Sequence, residues 1–213
     1  MQRLEDIRKE YTRTSLDVKN VSADPIEQFN IWFNEAISAS VPEPNAMSLA
    51  TVGTDHRPSC RIVLLKGVEN NQFVFYTNYQ SHKGKELDTN PFCALTFFWP
   101  ELERQVRIEG NVTRVDDYRS ETYFQSRQLG SQIGAWSSPQ SSVIDNREIL
   151  EQRVQQISKR FEGATKLPKP KQWGGFQVAP FMIEFWQGRQ SRLHDRIVFT
   201  LIDGSWSRHR LAP

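Results

Sequence analysis

Four short runs carry most of the side chains able to do chemistry. In Arg192-Leu-His-Asp-Arg196, residues two apart on a strand share a face, so Arg192, His194 and Arg196 would project together, with Leu193 and Asp195 opposite. Two guanidinium groups flanking an imidazole repel unless an anion sits among them, which points to a phosphate or a planar anionic ligand. A solvated edge strand with Asp195 as counter-charge is the plainer alternative. Arg61-Ile-Val-Leu-Leu-Lys66 reads as a core strand with a cation at each end. Strict alternation puts Arg61 and Lys66 on opposite faces, so one pocket uses both only if the strand is bulged or the ligand wraps an edge. Ser81-His82-Lys83 opens a predicted helix, a place that suits an anion or a simple surface cap. Tyr123 and Arg127 share a predicted helix face and Ser131 lies just beyond it; their donors together suit a phosphate dianion, or make an ordinary amphipathic helix end.

Taken singly these runs are weak signals. Taken together they are donors spread over a β scaffold, and their number suggests more than one phosphate. No paired carboxylates stand out as an acid/base dyad, and there is no GxSxG nucleophile, GxGxxG turn or GxxxxGK[ST] loop. Cys60 and Cys93 form no CxxC pair; they read as small hydrophobes, and no metal site is expected. Catalysis by a bound cofactor is therefore the economical reading.

The elements that must position these groups follow from the apolar spacing. Residues 1–23 are polar, with nothing to hold them without a ligand or partner. Asp24-Pro25 opens a helix that Pro42 ends, with Glu27 completing a capping box and Phe29, Trp32, Phe33, Ala36 and Ile37 on one face. Strands are expected over 46–54, 59–68, 72–77, 92–99 and 104–115, with Asn70-Asn71 as a hairpin turn and a short helix over 81–90. Helices over 116–127 and 145–161 flank an ordered loop, 130–142, that carries Ile133 and Trp136. Strands over 176–187, 192–202 and 206–211 close the chain.

A chain of 213 residues with 13 Phe and 6 Trp can bury a sizeable core, most simply as one domain. The net charge of +2 and the lack of a basic-aromatic stripe argue against a nucleic-acid binder. No run approaches the ~18 apolar residues of a membrane span, and no secretory signal is seen, so a cytoplasmic protein is expected.

Arg61-Ile-Val-Leu-Leu-Lys66, Phe75-Tyr-Thr-Asn78, Leu102-Glu-Arg-Gln-Val106, Ser131-Gln-Ile-Gly-Ala-Trp136, Gln140-Ser-Ser142, Trp173-Gly-Gly-Phe176, Glu184-Phe-Trp-Gln-Gly188, Arg192-Leu-His-Asp-Arg196 and the ending Arg210-Leu-Ala-Pro213 resemble, in this order, the pyridoxine/pyridoxamine 5′-phosphate oxidases. The resemblance implies a mainly β fold with inserted helices (α+β), the antiparallel FMN-binding split β-barrel, over residues 24–213, behind a mobile N-terminal lid over 1–23. It implies a homodimer with FMN at the subunit interface. The implied reaction oxidises pyridoxamine 5′-phosphate or pyridoxine 5′-phosphate to pyridoxal 5′-phosphate, with hydride to FMN and oxygen reduced to hydrogen peroxide. By the same resemblance Arg61, Ile62, Val63, Leu64, Leu65, Lys66, Tyr76, Thr77, Lys83, Gln105, Gln140, Ser141, Trp186 and Arg196 line the FMN site. Lys66, Tyr123, Arg127 and Ser131 hold the substrate phosphate, Arg192 and His194 sit at the substrate ring, and Arg8 and Tyr11 belong to the lid. His82 stands where the family usually has a phosphate-contacting arginine, so weaker or pH-dependent FMN binding is expected. The alternatives are another split-barrel flavoprotein, such as a nicotinamide-dependent flavin reductase, and a non-catalytic pyridoxal-phosphate-binding homologue.

Overall fold

The structure, a computed structural model, describes residues 3–6 and 10–213; Arg8, expected in the lid, lies outside the described residues. Helix α1 is Pro25–Ser38: Asp24 accepts from the Ile26 N–H and Pro25 takes the first helical position, where its missing N–H costs nothing. The expected capping box is not formed, because the Asp24 N–H goes to Ser22 Oγ, whose hydroxyl is held by Glu27. The apolar face of α1 docks into the barrel. Phe29 meets Phe73, Phe97 and Trp99 at ring-centroid distances of 4.9, 5.2 and 6.4 Å. Burying each such ring contributes roughly 1.5–3 kcal/mol.

Period-two alternation builds the sheet. In β1 (Ala46–Val52) Met47, Leu49 and Thr51 face inward; in β5 (Phe92–Trp99) Cys93, Leu95, Phe97 and Trp99 do. The other strands are β2 (Pro58–Leu64), β3 (Gly67–Glu69), β4 (Gln72–Asn78), β6 (Arg104–Arg114), β7 (Trp173–Gln187), β8 (Asp195–Ile202) and β9 (Ser205–Leu211). All pairings are antiparallel, in the order β2-β1-β5-β6-β7-β4-β3, with β8 pairing β7 and β9.

The long strand β7 is where the sheet divides. Its residues from Trp173 to Val178 pair with β4, those from Met182 to Gln187 pair with β8, and β6 runs along the other edge throughout. The register slips at Glu109/Gly110 opposite Pro180, which has no N–H to give the ladder. Gly110 is required there, since a Cβ would stand 2.5 Å from the Ala179 carbonyl oxygen. The result is the curled, open antiparallel half-barrel expected of a split barrel.

The expected single strand 59–68 is two strands. Leu65 N–H bonds Asn45 O on the β1 side, and the next N–H, Lys66, bonds Val74 O on the β4 side. The chain therefore leaves one end of the sheet path and joins the other between these two residues. Asn70 and Asn71, at φ 49° and 62°, then make the β3–β4 hairpin as expected.

Four helices complete the fold: α2 (His82–Thr89), α3 (Asp117–Ser126), α4 (Leu129–Ser137) and α5 (Glu148–Arg160). The α4 segment was expected as a loop. Its glycines, Gly130 and Gly134, lower helix propensity, but Ile133 and Trp136 pack on a second core of Phe124, Leu167 and Trp173, and Trp136 Nε1 donates to Pro168 O at 2.8 Å. The apolar stripe of α5 is not buried in the single chain; Val154 is exposed.

The N-terminal segment is held, contrary to the expectation that nothing would hold it. Arg189, Arg210 and Arg208 donate to the carbonyls of Thr14, Leu16, and Val21 with Ser22, at 2.9–3.1 Å. Asp195 accepts the Leu16 N–H at 3.0 Å and pairs with Arg210 at 2.6 Å.

Candidate functional site

A cavity of about 860 Å³ lies between β2, β4 and the α2, α3 and α4 helices. Arg61, Ile62, Val63, Leu64, Lys66, Tyr76, Thr77, Lys83, Tyr123, Arg127, Ser131 and Gln140 line it, so three of the four sequence runs converge on one space. The break after Leu64 is what lets both Arg61 and Lys66 face it. Leu65 does not: it is buried in the barrel core. Ser141 and His82 are exposed and outside the lining. Trp173, Asn78 and Ser138 also line it although no role is expected of them from the sequence; the first two stand in the Trp173-Gly-Gly-Phe176 and Phe75-Tyr-Thr-Asn78 motifs, and Ser138 stands in none.

Lys83 and Arg127 are cations with no carboxylate at ion-pair distance among the described residues. Lys83, buried in α2 behind its Ser81 cap, has only neutral neighbours within reach: Thr77 Oγ1, Ser81 Oγ and Gln140 Oε1 at 3.3–3.4 Å. Burial, with the nearby Arg61 charge, holds its ammonium below the ordinary lysine range. Arg127 lies over the Trp173 ring at 4.9 Å, its charged form is disfavoured by burial, and its Nη1 is buried without a partner. Such an orphaned guanidinium nitrogen costs free energy until an acceptor arrives. Arg61 is different: it donates to Leu49 O at 3.2 Å and to Thr51 and Ser59 and pairs with Glu86 at 3.4 Å. Burial opposes ionisation of Glu86, but bonds from Thr51 and Ser59 and the charges of His82 and Arg61 hold its carboxyl below the usual range. His82 Nε2 lies 3.1 Å from Glu86, turned to that carboxylate. Tyr76 and Tyr123 stack at 3.9 Å beside Trp173, an apolar wall whose burial of both phenols raises their pKa and keeps them protonated.

The fourth run lies elsewhere. Gln105, Trp186 and Arg196 are register partners on β6, β7 and β8, forming one row on the outer face of the sheet. Arg192, His194 and Arg196 do not share a strand face: β8 begins only at Asp195, and Ser191 and Arg192 occupy left-handed conformations, φ 55° and 58°. Two consecutive non-glycine residues there store strain of about 1–3 kcal/mol each. Arg196 is held by buried Glu184 at 2.8 and 3.1 Å, and that pairing raises its pKa. His194 Nδ1 accepts the Arg189 N–H at 3.0 Å, and its ring lies 4.6 Å from Trp186 and 5.9 Å from Tyr11. Burial, then the Arg192 charge, lowers its pKa. None of these residues lines the cavity described above.

Residues 33–161 match the family described as pyridoxamine 5′-phosphate oxidase, and residues 173–213 match the pyridoxine 5′-phosphate oxidase C-terminal dimerisation region. The chain is 56% identical over 211 residues to the pyridoxine/pyridoxamine 5′-phosphate oxidase of Chromobacterium violaceum, spanning 99% of this chain and 98% of that protein. It is 54% identical to the protein of the same name from Burkholderia thailandensis, over all of both chains. Among solved structures, PhzG from Burkholderia lata, in complex with tetrahydrophenazine-1-carboxylic acid, aligns at TM-score 0.87 and 26% identity, covering 94% of this chain and 100% of that one. A pyridoxamine 5′-phosphate oxidase-related FMN-binding protein from Nostoc punctiforme shares the fold, at TM-score 0.71 and 19% identity over 91% of this chain and 100% of that one.

Proposed function

Because this chain belongs to the pyridoxamine 5′-phosphate oxidase family, we propose that it oxidises pyridoxamine 5′-phosphate and pyridoxine 5′-phosphate to pyridoxal 5′-phosphate. FMN is the cofactor and molecular oxygen the acceptor. Amine, oxygen and water give aldehyde, ammonia and hydrogen peroxide; the alcohol and oxygen give aldehyde and peroxide. The observation that carries this reading is the pair of cations lining one cavity, buried Lys83 and half-buried Arg127 with its unpartnered Nη1, neither with a carboxylate at ion-pair distance among the described residues. A dianion at each satisfies them.

The donor set fits a flavin phosphate at the Arg61–Lys83 end, with Thr77 and Gln140 beside it. Lys66, Tyr123, Arg127 and Ser131 then hold the substrate phosphate. FMN, when bound, supplies the two-electron oxidising centre. The chain's own part is to anchor a phosphate remote from the reacting carbon and so orient that carbon. Arg192 supplies positive charge near the pyridine ring. His194, whose Nδ1 is engaged by a backbone N–H, turns Nε2 to the ligand. A homodimer completes the site: the Gln105–Trp186–Arg196 row of a second copy closes the cavity of the first. Ile62, 66% exposed on the cavity rim, and Phe98, 52% exposed beside that row, are the apolar contacts such an interface would cover.

Anaerobic titration tests the reading. Pyridoxamine 5′-phosphate should bleach the yellow protein and NADH should not, and aerobic turnover should release peroxide. Bleaching by NADH alone would make the protein a flavin reductase instead.

A further inference from the structure

The Arg127 guanidinium is aimed by aromatic faces at one end, but its backbone lies at the corner between α3 and α4 and needs its own restraint. Arg127 is the residue that ends α3, with extended backbone angles, and its N–H reaches Phe124 O only at 3.3 Å. The stronger tie comes from Gln132, buried in α4. Gln132 Nε2 donates to Arg127 O at 2.7 Å and to Gln125 O at 3.4 Å, and Gln132 Oε1 accepts the buried Leu167 N–H at 2.8 Å. A carbonyl on one side and an N–H on the other fix the amide's orientation.

We infer that Gln132 is a positioning residue for the phosphate anchor: its amide donor holds the α3–α4 corner so that Arg127, whose Nη1 is buried and unpartnered, points into the cavity beside Ser131. This rests on the phosphate reading of that cavity. Gln132 touches no ligand; it acts through Arg127, and the Leu167 bond on its other side is the ordinary structural part of its role.

The two parts separate in a double-mutant cycle on the FMN-loaded protein. Pyridoxal 5′-phosphate binding is titrated by absorbance, with inorganic phosphate as competitor. Q132M should weaken binding of both about tenfold, close to the loss of one hydrogen bond to a charged group. With pyridoxamine 5′-phosphate as substrate, it should raise KM and leave kcat within about twofold. In the R127A background Q132M should add less than about twofold, because the group it positions is gone. Q132E guards against a folding defect: it keeps an acceptor for the Leu167 N–H and loses the donor to Arg127 O. Its weakening should likewise vanish in the R127A background, whereas direct repulsion of the phosphate would persist there. Equal weakening with and without Arg127, or unchanged binding in both variants, overturns the assignment. A wild-type protein that binds neither probe overturns the phosphate reading itself.

Discussion

Lys83, which is buried, and Arg127, half-buried with its Nη1 enclosed, owe their importance to lost hydration as well as to charge, because a cation short of water gains more from an arriving anion. Removing the Arg127 fork should cost roughly 1.5–3 kcal/mol, the worth of a hydrogen bond to a charged group. Arg127→Ala is therefore expected to raise KM for pyridoxamine 5′-phosphate at least about tenfold with kcat little changed, since the anchor serves ground and transition states alike; steady-state kinetics showing a fall in kcat alone would contradict it. Lys83 loses its proton below the ordinary lysine range, so FMN affinity should fall as pH rises through the alkaline region. Lys83→Met should bind more weakly and show no such slope in a fluorescence titration. His194 has a lowered pKa and is neutral above it. The kcat/KM profile should thus hold down through the usual histidine value of about 6.5 and fall only in more acid solution, with the acid limb gone in His194→Asn. The same depression makes the fold bind fewer protons than the unfolded chain in that window, so this group adds stability as pH rises through it. Cys93 has its thiol pushed up to about 12 by burial and so stays a neutral thiol at ordinary pH.

Two close approaches decide what the elements can do. At the β6–β7 bulge Gly110 faces backbone, which cannot move aside, so Gly110→Ala should cost about 1–3 kcal/mol in denaturant unfolding. At the end of β7 a Cβ on Gly188 would stand 2.7 Å from Tyr11 Cγ. Tyr11 meets Trp186 edge-on at 5.7 Å, so the glycine is what lets the N-terminal segment lie against this strand end. Gly188→Ala should therefore release residues 10–16 to limited proteolysis while the melting temperature of the barrel stays near that of the parent; unaltered cleavage would show that the contact holds nothing. The α2 cap was legible from Ser81 because the Ser side chain accepts the Gly84 N–H, a strictly local bond. The α4 helix was not, because glycine-rich local preference gave way to Ile133 and Trp136 finding a core assembled from Phe124 before it and Leu167 and Trp173 well after it.

At the scale of the whole molecule the governing fact is that the cavity and the Gln105–Trp186–Arg196 row share no residue within one chain. If a second copy completes the cavity, dilution until the protein is monomeric should release FMN, seen as recovered free-flavin fluorescence; a monomer that keeps its flavin would refute the shared site. The amino-acid sequence by itself determined the strands with clean alternation, the capped helices, the Asn70-Asn71 hairpin and the identity of the donor residues. All of these rest on side-chain type or on contacts within a few residues. Only the tertiary structure decided that the strand after Arg61 breaks at Leu65, that Arg192 leaves the β8 face, and that Leu65 turns into the core. It alone also placed Arg61, Lys83 and Arg127 in one cavity while the Trp186 row faces outward. The reason is that a sheet's curl is set by which distant strands pair and where a bulge forces a turn, and the pairings of β7 with β4 and β6 join residues 62 to 105 positions apart, beyond the reach of any local pattern.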